Sequence, residues 1–207
     1  IHEQLIHQGY QTSVIDPEGD YHSMEKMIVL GNSQRVTTVA EVVTALENPK
    51  AQVIVNLVGL PLEDRPAFFL ELLPKLQELR LRSGRPHRIV VDEAHHLLPK
   101  TWTGNAPESS RDLKSMLFVT VHPDRLSPQL IDSIELAVAL GHDPAAILRF
   151  IAGHHSRQMP APPTDELKPG EALLWREGNG QGVECLLMAV PRVERERHRR
   201  EKAEGEL

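Results

Sequence analysis

The chain has 207 residues, of which 25% are charged and 40% are apolar, and its formal net charge is −6. These fractions are ordinary for a soluble globular domain. No apolar run approaches the roughly 20 residues that span a bilayer, so we expect a cytoplasmic protein with no membrane partner. The single cysteine, Cys185, excludes an internal disulfide. The acidic charge argues against a domain that is basic as a whole and clamps nucleic acid.

Strand and helix signals alternate along the first 155 residues. Apolar runs bounded by turn residues predict strands at 12–16, 27–30, 52–57, 88–91, 116–121 and 135–140. Helical spacing predicts helices at 1–8, 38–48, 66–84, 128–133 and 144–153, with a capping box of Thr38 and Glu41 and an N-terminal cap at Asp143. Pro74 lies inside the third helix and is expected either to kink it or to split it. This alternation predicts a three-layer α/β fold with a mostly parallel sheet.

The last quarter of the chain differs in composition. A proline-rich segment at 160–170 is linker-like, and two apolar runs at 171–191 flank the glycine-rich stretch Glu177–Gly182. A phosphate-binding loop opens a helix, whereas this stretch joins strand to strand, so it predicts a C-terminal β-hairpin. The tail at 192–207 interleaves Arg with Glu, which favours a solvated helix or linker over a nucleic-acid contact. The core domain is therefore expected to end at residue 159.

Polar side chains follow three of the predicted strands. Asp92 and Glu93 come directly after 88–91, Asp16 ends 12–16, and His122 follows 116–121. Ligands of open α/β sheets bind at the carboxyl ends of the strands. Adjacent acids at this edge suit nucleotide hydrolysis, in which one holds the magnesium shell and the other polarises water. The alternatives are a strand that happens to end in acids and, for Asp16, Glu18 and Asp20, ordinary turn chemistry.

Two segments together resemble the HerA/FtsK-type P-loop ATPases. They are Gly9–Tyr21, which contains Asp-Pro-Glu-Gly-Asp after a strand, and Arg88–Pro99, which contains Asp-Glu-Ala-His-His. The similarity runs from about residue 1 to 155 and implies a P-loop NTPase-like sheet. It implies that Asp92 binds Mg²⁺ through water and that Glu93 orients or deprotonates the attacking water. It also implies that His122 occupies the place of a γ-phosphate sensor and that Asp16 contributes to the ATP site.

One motif of this family is missing from the chain. The phosphate loop Gly-x-x-x-x-Gly-Lys-Ser/Thr does not occur, and no lysine follows a glycine. Because the chain opens within a helical pattern, we expect a fragment. In the family the phosphate loop precedes this helix and would lie upstream of Ile1; the alternative is a chain that never had the loop. ATP and Mg²⁺ are then expected as cofactors of the complete protein, while this chain alone binds ATP weakly and is inactive. Some proteins with this pattern carry a haloacid-dehalogenase-type phosphatase domain ahead of the ATPase, which is a candidate for the parent protein.

Two functional interpretations remain open. The first is the ATPase part of a homo-oligomeric motor that moves nucleic acid or remodels a partner. In such an oligomer Arg125 is a candidate finger into a neighbouring site, against the simpler reading of a solvated arginine. The second is a non-catalytic regulatory or interaction module attached to another enzyme, which the acidic charge favours.

For His95 and His96 we expect packing or surface roles, because neighbours on a regular helix do not easily face one metal. The Asp-Glu-Ala-His string also occurs in DEAH-box helicases, which differ in the region of Gly9–Tyr21.

Overall fold

The computed structural model of the protein describes residues 2–22, 24, 26–84, 87–101, 113, 115–155, 167–177 and 183–187. Its main element is a five-stranded parallel sheet with the strand order β2-β3-β1-β4-β5. The strands are β1 (Thr12–Asp16), β2 (Ile28–Leu30), β3 (Val53–Asn56), β4 (Arg88–Val91) and β5 (Met116–Phe118). The predicted α/β fold with a mostly parallel sheet is confirmed.

Both faces of the central strands are covered. On one face Val14, Ile54 and Val90 form a small cluster with Tyr21, Met24, Met27 and Leu117. The alternate residues, among them Ile15 and Val91, point into the main core. Side chains of a strand alternate between the two faces, so a parallel strand buried on both sides reads as a continuous apolar run. This explains why these strands were recognisable in the sequence.

The helices are α1 (His2–His7), α2 (Val39–Glu47), α3 (Arg65–Ser83), α4 (Pro128–Asp132) and α5 (Pro144–His154), with 3-10 turns at Ala94–His96 and Pro123–Arg125. Thr38 and Glu41 form the predicted capping box of α2. Helix α3 is continuous through the exposed Pro74. Its buried residues lie on both sides of the proline, including Phe69, Leu72 and Leu76. Their packing holds the two halves as one helix although Pro74 lacks an N–H group.

A second sheet is antiparallel and contains the predicted hairpin. Its strands are β6 (Leu136–Ala139), β7 (Glu171–Arg176) and β8 (Glu184–Leu187), in the order β6-β7-β8. Strand β6 pairs with the hairpin through Val138 and Leu174, and not with the parallel strands. The side chains of β6 alternate between exposed and buried, as in a sheet with one covered face. Cys185 is exposed on β8.

Several predicted segments lie outside the described residues. They are 160–166 of the linker, most of the loop at 177–182, residues 188–191 at the end of the hairpin and the whole tail at 192–207. The proposed domain boundaries therefore stay a prediction. Within the part of the chain that the structure describes, no helix has the length and apolar character needed to cross a membrane.

Candidate functional site

The candidate site lies where β1, β4 and β5 end. Ile15 pairs with Val91, and Val91 pairs with Phe118, so the next residues along these strands emerge at one edge of the sheet. Backbone hydrogen bonds extend this alignment past the strands, because Asp92 N–H donates to the Ile15 carbonyl at 3.0 Å. The structure therefore brings together the strand ends that carry Asp16, the Asp92–Glu93 pair and His122.

Asp92 is a half-buried acid surrounded by other acids. Burial is the main cause that raises its pKa to about 6, and Glu93, Asp16 and Asp20 add to the rise. The Glu93 N–H group and the Tyr21 hydroxyl both donate to its carboxylate. Burial, followed by the charge of Asp92, in turn raises the pKa of Tyr21. The Asp92 carboxylate is thus held in place but is short of positive charge.

This environment suits a divalent cation. Within the described residues, no ion pair joins a basic side chain to Asp16 or Asp92. No group of three or more His, Cys, Asp or Glu side chains there is arranged to hold a metal by itself. Mg²⁺ commonly takes only one or two carboxylates and completes its shell with water and substrate phosphates. Asp92 fits that mode of binding, because the ion would supply the missing positive charge.

Asp16 has a role within its own turn. Its side chain is fully buried, and it accepts hydrogen bonds from the N–H groups of Gly19 (2.7 Å), Asp20 (3.1 Å) and Tyr21 (3.1 Å). Burial raises its pKa, and the three N–H donors act in the opposite direction. These contacts are those expected of turn chemistry. They shape the loop that presents Tyr21 to Asp92, while the contribution of Asp16 to nucleotide binding stays a prediction.

Glu93 has an unusual backbone. Its φ of 40° and ψ of 51° lie in the left-handed region, which is uncommon for residues other than glycine. The conformation turns the chain directly from β4 into the 3-10 turn Ala94–His96, and Ala94 N–H donates to the Val119 carbonyl at 2.9 Å. This bond uses the Val119 carbonyl just beyond the end of β5. The Oε2 atom of Glu93 is shielded from solvent and makes no well-aligned hydrogen bond.

Three histidines lie at this turn: His95 and His96 belong to it, and His122 contacts His95. The rings of His95 and His96 lie 4.2 Å apart between centroids, and those of His95 and His122 lie 5.0 Å apart, edge to face. His95 is buried, and its Nδ1 lies 3.0 Å from the Thr120 hydroxyl and 3.2 Å from Glu93 Oε2. Burial lowers the pKa of His95, with further contributions from His122 and Arg125. The packing role expected for His95 therefore includes polar contacts that the sequence did not indicate.

A second set of contacts joins three loops around Glu18. Its Oε1 lies 3.3 Å from Nδ1 of His96 and 3.7 Å from a guanidinium nitrogen of Arg65. The Arg65 side chain is largely buried, and its Nε–H donates to the Leu60 carbonyl at 3.2 Å. Burial, followed by His95, lowers the pKa of His96. Arg65 opens α3, so this set fixes the start of that helix against the loops after β1 and β4.

The candidate residues thus fall into two groups. Asp16, Asp92, Glu93 and His122 lie at one sheet edge, as the order of the motifs predicted. Arg125 is exposed in the 3-10 turn that follows His122, and its role as a finger residue stays a prediction. Arg65 and Thr120 were not singled out from the sequence. Thr120 could have been identified as a site residue only from its position between β5 and His122.

The five-stranded parallel sheet with its helices is an α/β fold, and it is similar to the fold of solved NTPase structures. Similar solved structures include the genome packaging NTPase B204 from Sulfolobus turreted icosahedral virus 2 in complex with AMPPCP, with 12% identity over 91% of this chain and 88% of that chain and a TM-score of 0.63. The same NTPase with ATP-gammaS gives 14% identity over 88% and 84% of the two chains and a TM-score of 0.55.

B204, the DNA-packaging ATPase from Sulfolobus turreted icosahedral virus, is also similar, with 17% identity, a TM-score of 0.55 and coverage of 91% of this chain and 87% of that chain. At these identities the similarity is one of fold. No protein-family model matches the sequence, and no similar sequence is found among the curated proteins.

Proposed function

We propose that this chain is part of the ATPase domain of a HerA/FtsK-like motor. The observation that carries the proposal is Asp92, a carboxylate short of positive charge beside Glu93 at the carboxyl edge of a parallel sheet. The similar structures support it, because the genome packaging NTPase B204 with this fold is known in complex with AMPPCP and with ATP-gammaS. The complete protein would hydrolyse ATP in order to move nucleic acid or to remodel a partner.

Each residue at the edge has a proposed role. Asp92 would hold Mg²⁺ through a water ligand, and the ion would neutralise charge on the phosphates. Glu93 would orient and deprotonate the attacking water, because it follows Asp92 and its side chain is 26% exposed to solvent. His122 would donate a hydrogen bond to the terminal phosphate. Asp16 would act on the ATP site mainly by shaping the loop that carries Tyr21.

We infer that a phosphate loop outside the 207 residues completes the site. Backbone N–H groups and a lysine normally hold the nucleotide phosphates, and the chain has no Gly-x-x-x-x-Gly-Lys motif. The chain alone should therefore bind Mg-ATP weakly. The complete protein would bind it as a homo-oligomer, in which Arg125 is positioned beyond His122 as the candidate finger residue.

Hydrolysis and binding measured side by side test this proposal. In the complete protein, Glu93→Gln should bind Mg-ATP with unchanged affinity in calorimetry but lose about 100-fold or more in phosphate release. Asp64→Asn serves as a control, because Asp64 is exposed and its side chain makes no cap hydrogen bond. Turnover of Glu93→Gln equal to that of the unmodified protein would remove Glu93 from the mechanism.

Titration with labelled duplex DNA separates the motor from the alternative of a regulatory module. Binding that weakens steeply between about 50 and 200 mM salt is expected if phosphate contacts are made. DNA binding that is absent at low salt, together with absent ATP turnover, would favour the interaction module instead.

A further inference from the structure

The imidazole of His95 lies between the Glu93 carboxylate and the end of β5. Its Nδ1 is 3.2 Å from Glu93 Oε2 and 3.0 Å from the Thr120 hydroxyl. We propose that His95 is a positioning residue that holds the Glu93 carboxylate and makes its orientation depend on the Thr120–His122 loop. The part of this proposal that concerns catalysis rests on the proposed ATPase function. The contact itself does not.

Glu93 needs such a partner for two reasons. Its left-handed backbone is strained for a residue with a side chain, so the surrounding structure must hold it in place. Its Oε2 atom is shielded from water and has no well-aligned hydrogen bond, which is costly for a carboxylate oxygen. A small turn of the carboxylate toward the His95 ring would satisfy Oε2. This contact would fix the orientation of the Glu93 carboxylate at the sheet edge.

His95 is well placed to be that partner. It lies in the 3-10 turn Ala94–His96, which is anchored because Ala94 N–H donates to the Val119 carbonyl. The ring is only 8% exposed, so it cannot easily turn away into solvent. Burial, with His122 and Arg125, lowers its pKa, so at neutral pH the ring is neutral and carries one N–H group.

The two tautomers of the His95 ring correspond to two different roles for this residue. With the proton on Nδ1, the ring donates to Glu93 Oε2. With the proton on Nε2, the Nδ1 atom accepts a hydrogen bond from the Thr120 hydroxyl, and Glu93 receives nothing from the ring. The first state makes His95 a support for the carboxylate. The second makes it a packing residue bonded to β5.

Thr120 connects this pair to the candidate phosphate sensor. Its hydroxyl oxygen accepts the N–H of His122 at 3.0 Å, and the His122 ring lies against the edge of His95. A shift of His122 toward a phosphate would move the Thr120 hydroxyl, which competes for Nδ1 of His95. The orientation of Glu93 would therefore change with the position of His122.

Nuclear magnetic resonance of ¹⁵N-histidine-labelled protein tests the contact without ATP. Long-range ¹H–¹⁵N correlations report which ring nitrogen is protonated, and His95→Asn assigns the signal. We expect the Nδ1–H tautomer, which Glu93→Ala should convert to Nε2–H and Thr120→Val should leave unchanged. An Nε2–H tautomer that does not respond to Glu93→Ala would overturn the proposal.

A matched pair of variants tests the catalytic consequence in the complete protein. The amide nitrogen of His95→Asn can replace Nδ1 as a donor, whereas His95→Leu cannot. We expect His95→Leu to lose about tenfold to a hundredfold in the hydrolysis rate with Mg-ATP affinity unchanged, and His95→Asn to recover most of the loss. Equal losses in both variants, or no loss in either, would reject the positioning role.

The two experiments separate the two proposals. Should the complete protein hydrolyse no ATP, the proposed function fails, yet the tautomer of His95 and its response to Glu93→Ala still decide whether the contact exists. Should hydrolysis be normal and the tautomer be Nε2–H, the ATPase assignment stands and the role of His95 is rejected.

Discussion

Removing the charge of Asp92 should stabilise the fold while it damages the site. In Asp92→Asn the amide oxygen can still accept the Tyr21 hydroxyl and the Glu93 N–H, so the contacts of the side chain are retained. The negative charge, which lies among Asp16, Asp20 and Glu93, is lost. A residue placed for binding a cation is expected to reduce stability in the absence of that cation.

The size of the effect follows from the raised pKa. A rise from the ordinary 3.8 to about 6 corresponds to at most about 3 kcal/mol. Asp92 is only half-buried, and solvent screening reduces this figure to about 1–2 kcal/mol. For a domain of this size the increase in Tm is then about 2–8 °C.

The effect has a defined dependence on pH. Well below pH 3.8 the Asp92 carboxyl is protonated in both the folded and the unfolded chain, so it does not reduce the free energy of unfolding. As the pH rises, the unfolded chain ionises first, and stability is lost until the folded carboxyl also ionises near pH 6. Asp92→Asn should therefore match the unmodified protein near pH 3 and exceed it at pH 8.

Urea unfolding at both pH values, without Mg²⁺, measures this difference. Asp64→Asn is the control, because Asp64 is exposed and its carboxylate caps nothing, and it should change stability by less than about 0.5 kcal/mol. A stability gain that is equal at both pH values, or a loss at pH 8, would refute the electrostatic reasoning.

Two further predictions concern the scaffold. Gly31→Ala should cost at least about 2 kcal/mol in urea unfolding, because φ is 86° and the new Cβ would lie 2.4 Å from the Asn56 carbonyl oxygen. Gly84→Ala, with φ of 61° and open space around it, is the matched control and should cost only about 1 kcal/mol; equal costs would contradict the steric argument. Thr38→Ala should cost about 1 kcal/mol through loss of the capping box with Glu41, and Thr38→Ser should restore most of it; equal stability of the two variants would reject the cap.

The elements that depend on neighbouring residues were predictable from the sequence. The strands 12–16 and 88–91 begin and end at the predicted residues, because a strand buried on both faces is a short apolar run between turn signals. The caps at Thr38 and Asp143 were found for the same reason, since capping residues lie within three or four positions of the groups that they satisfy.

Features that depend on distant residues were not predictable in this way. The sequence could not decide whether Pro74 splits its helix, because the answer depends on what the apolar stripe packs against. The sequence also could not assign β6 to the antiparallel sheet, because the residues of β6 and β7 do not by themselves determine that these two strands pair.

The candidate site also contains both kinds of feature, those set by neighbouring residues and those set by distant ones. Asp92 and Glu93 were identifiable because the strand before them and the edge it defines are local features. The polar contacts of His95 were missed, since they depend on the left-handed conformation of Glu93, which turns the chain out of helical register. In the cluster of Glu18, Arg65 and His96, Arg65 is 47 residues from Glu18 (65 − 18) and 31 residues from His96 (96 − 65). Local sequence patterns do not predict contacts between residues so far apart in the chain.

The strand order has a consequence for biosynthesis. Strand β1 lies in the middle of the sheet but leaves the ribosome before either of its neighbours, and Thr12 pairs with Arg88, 76 residues later (88 − 12). At about 5–20 residues per second, roughly 4–15 s of translation separate the two partners. Such non-local pairing folds slowly and exposes apolar strands meanwhile. Asp16 and Asp92 therefore meet late, and the site edge forms only after the nascent chain has kept a central strand unpaired for seconds.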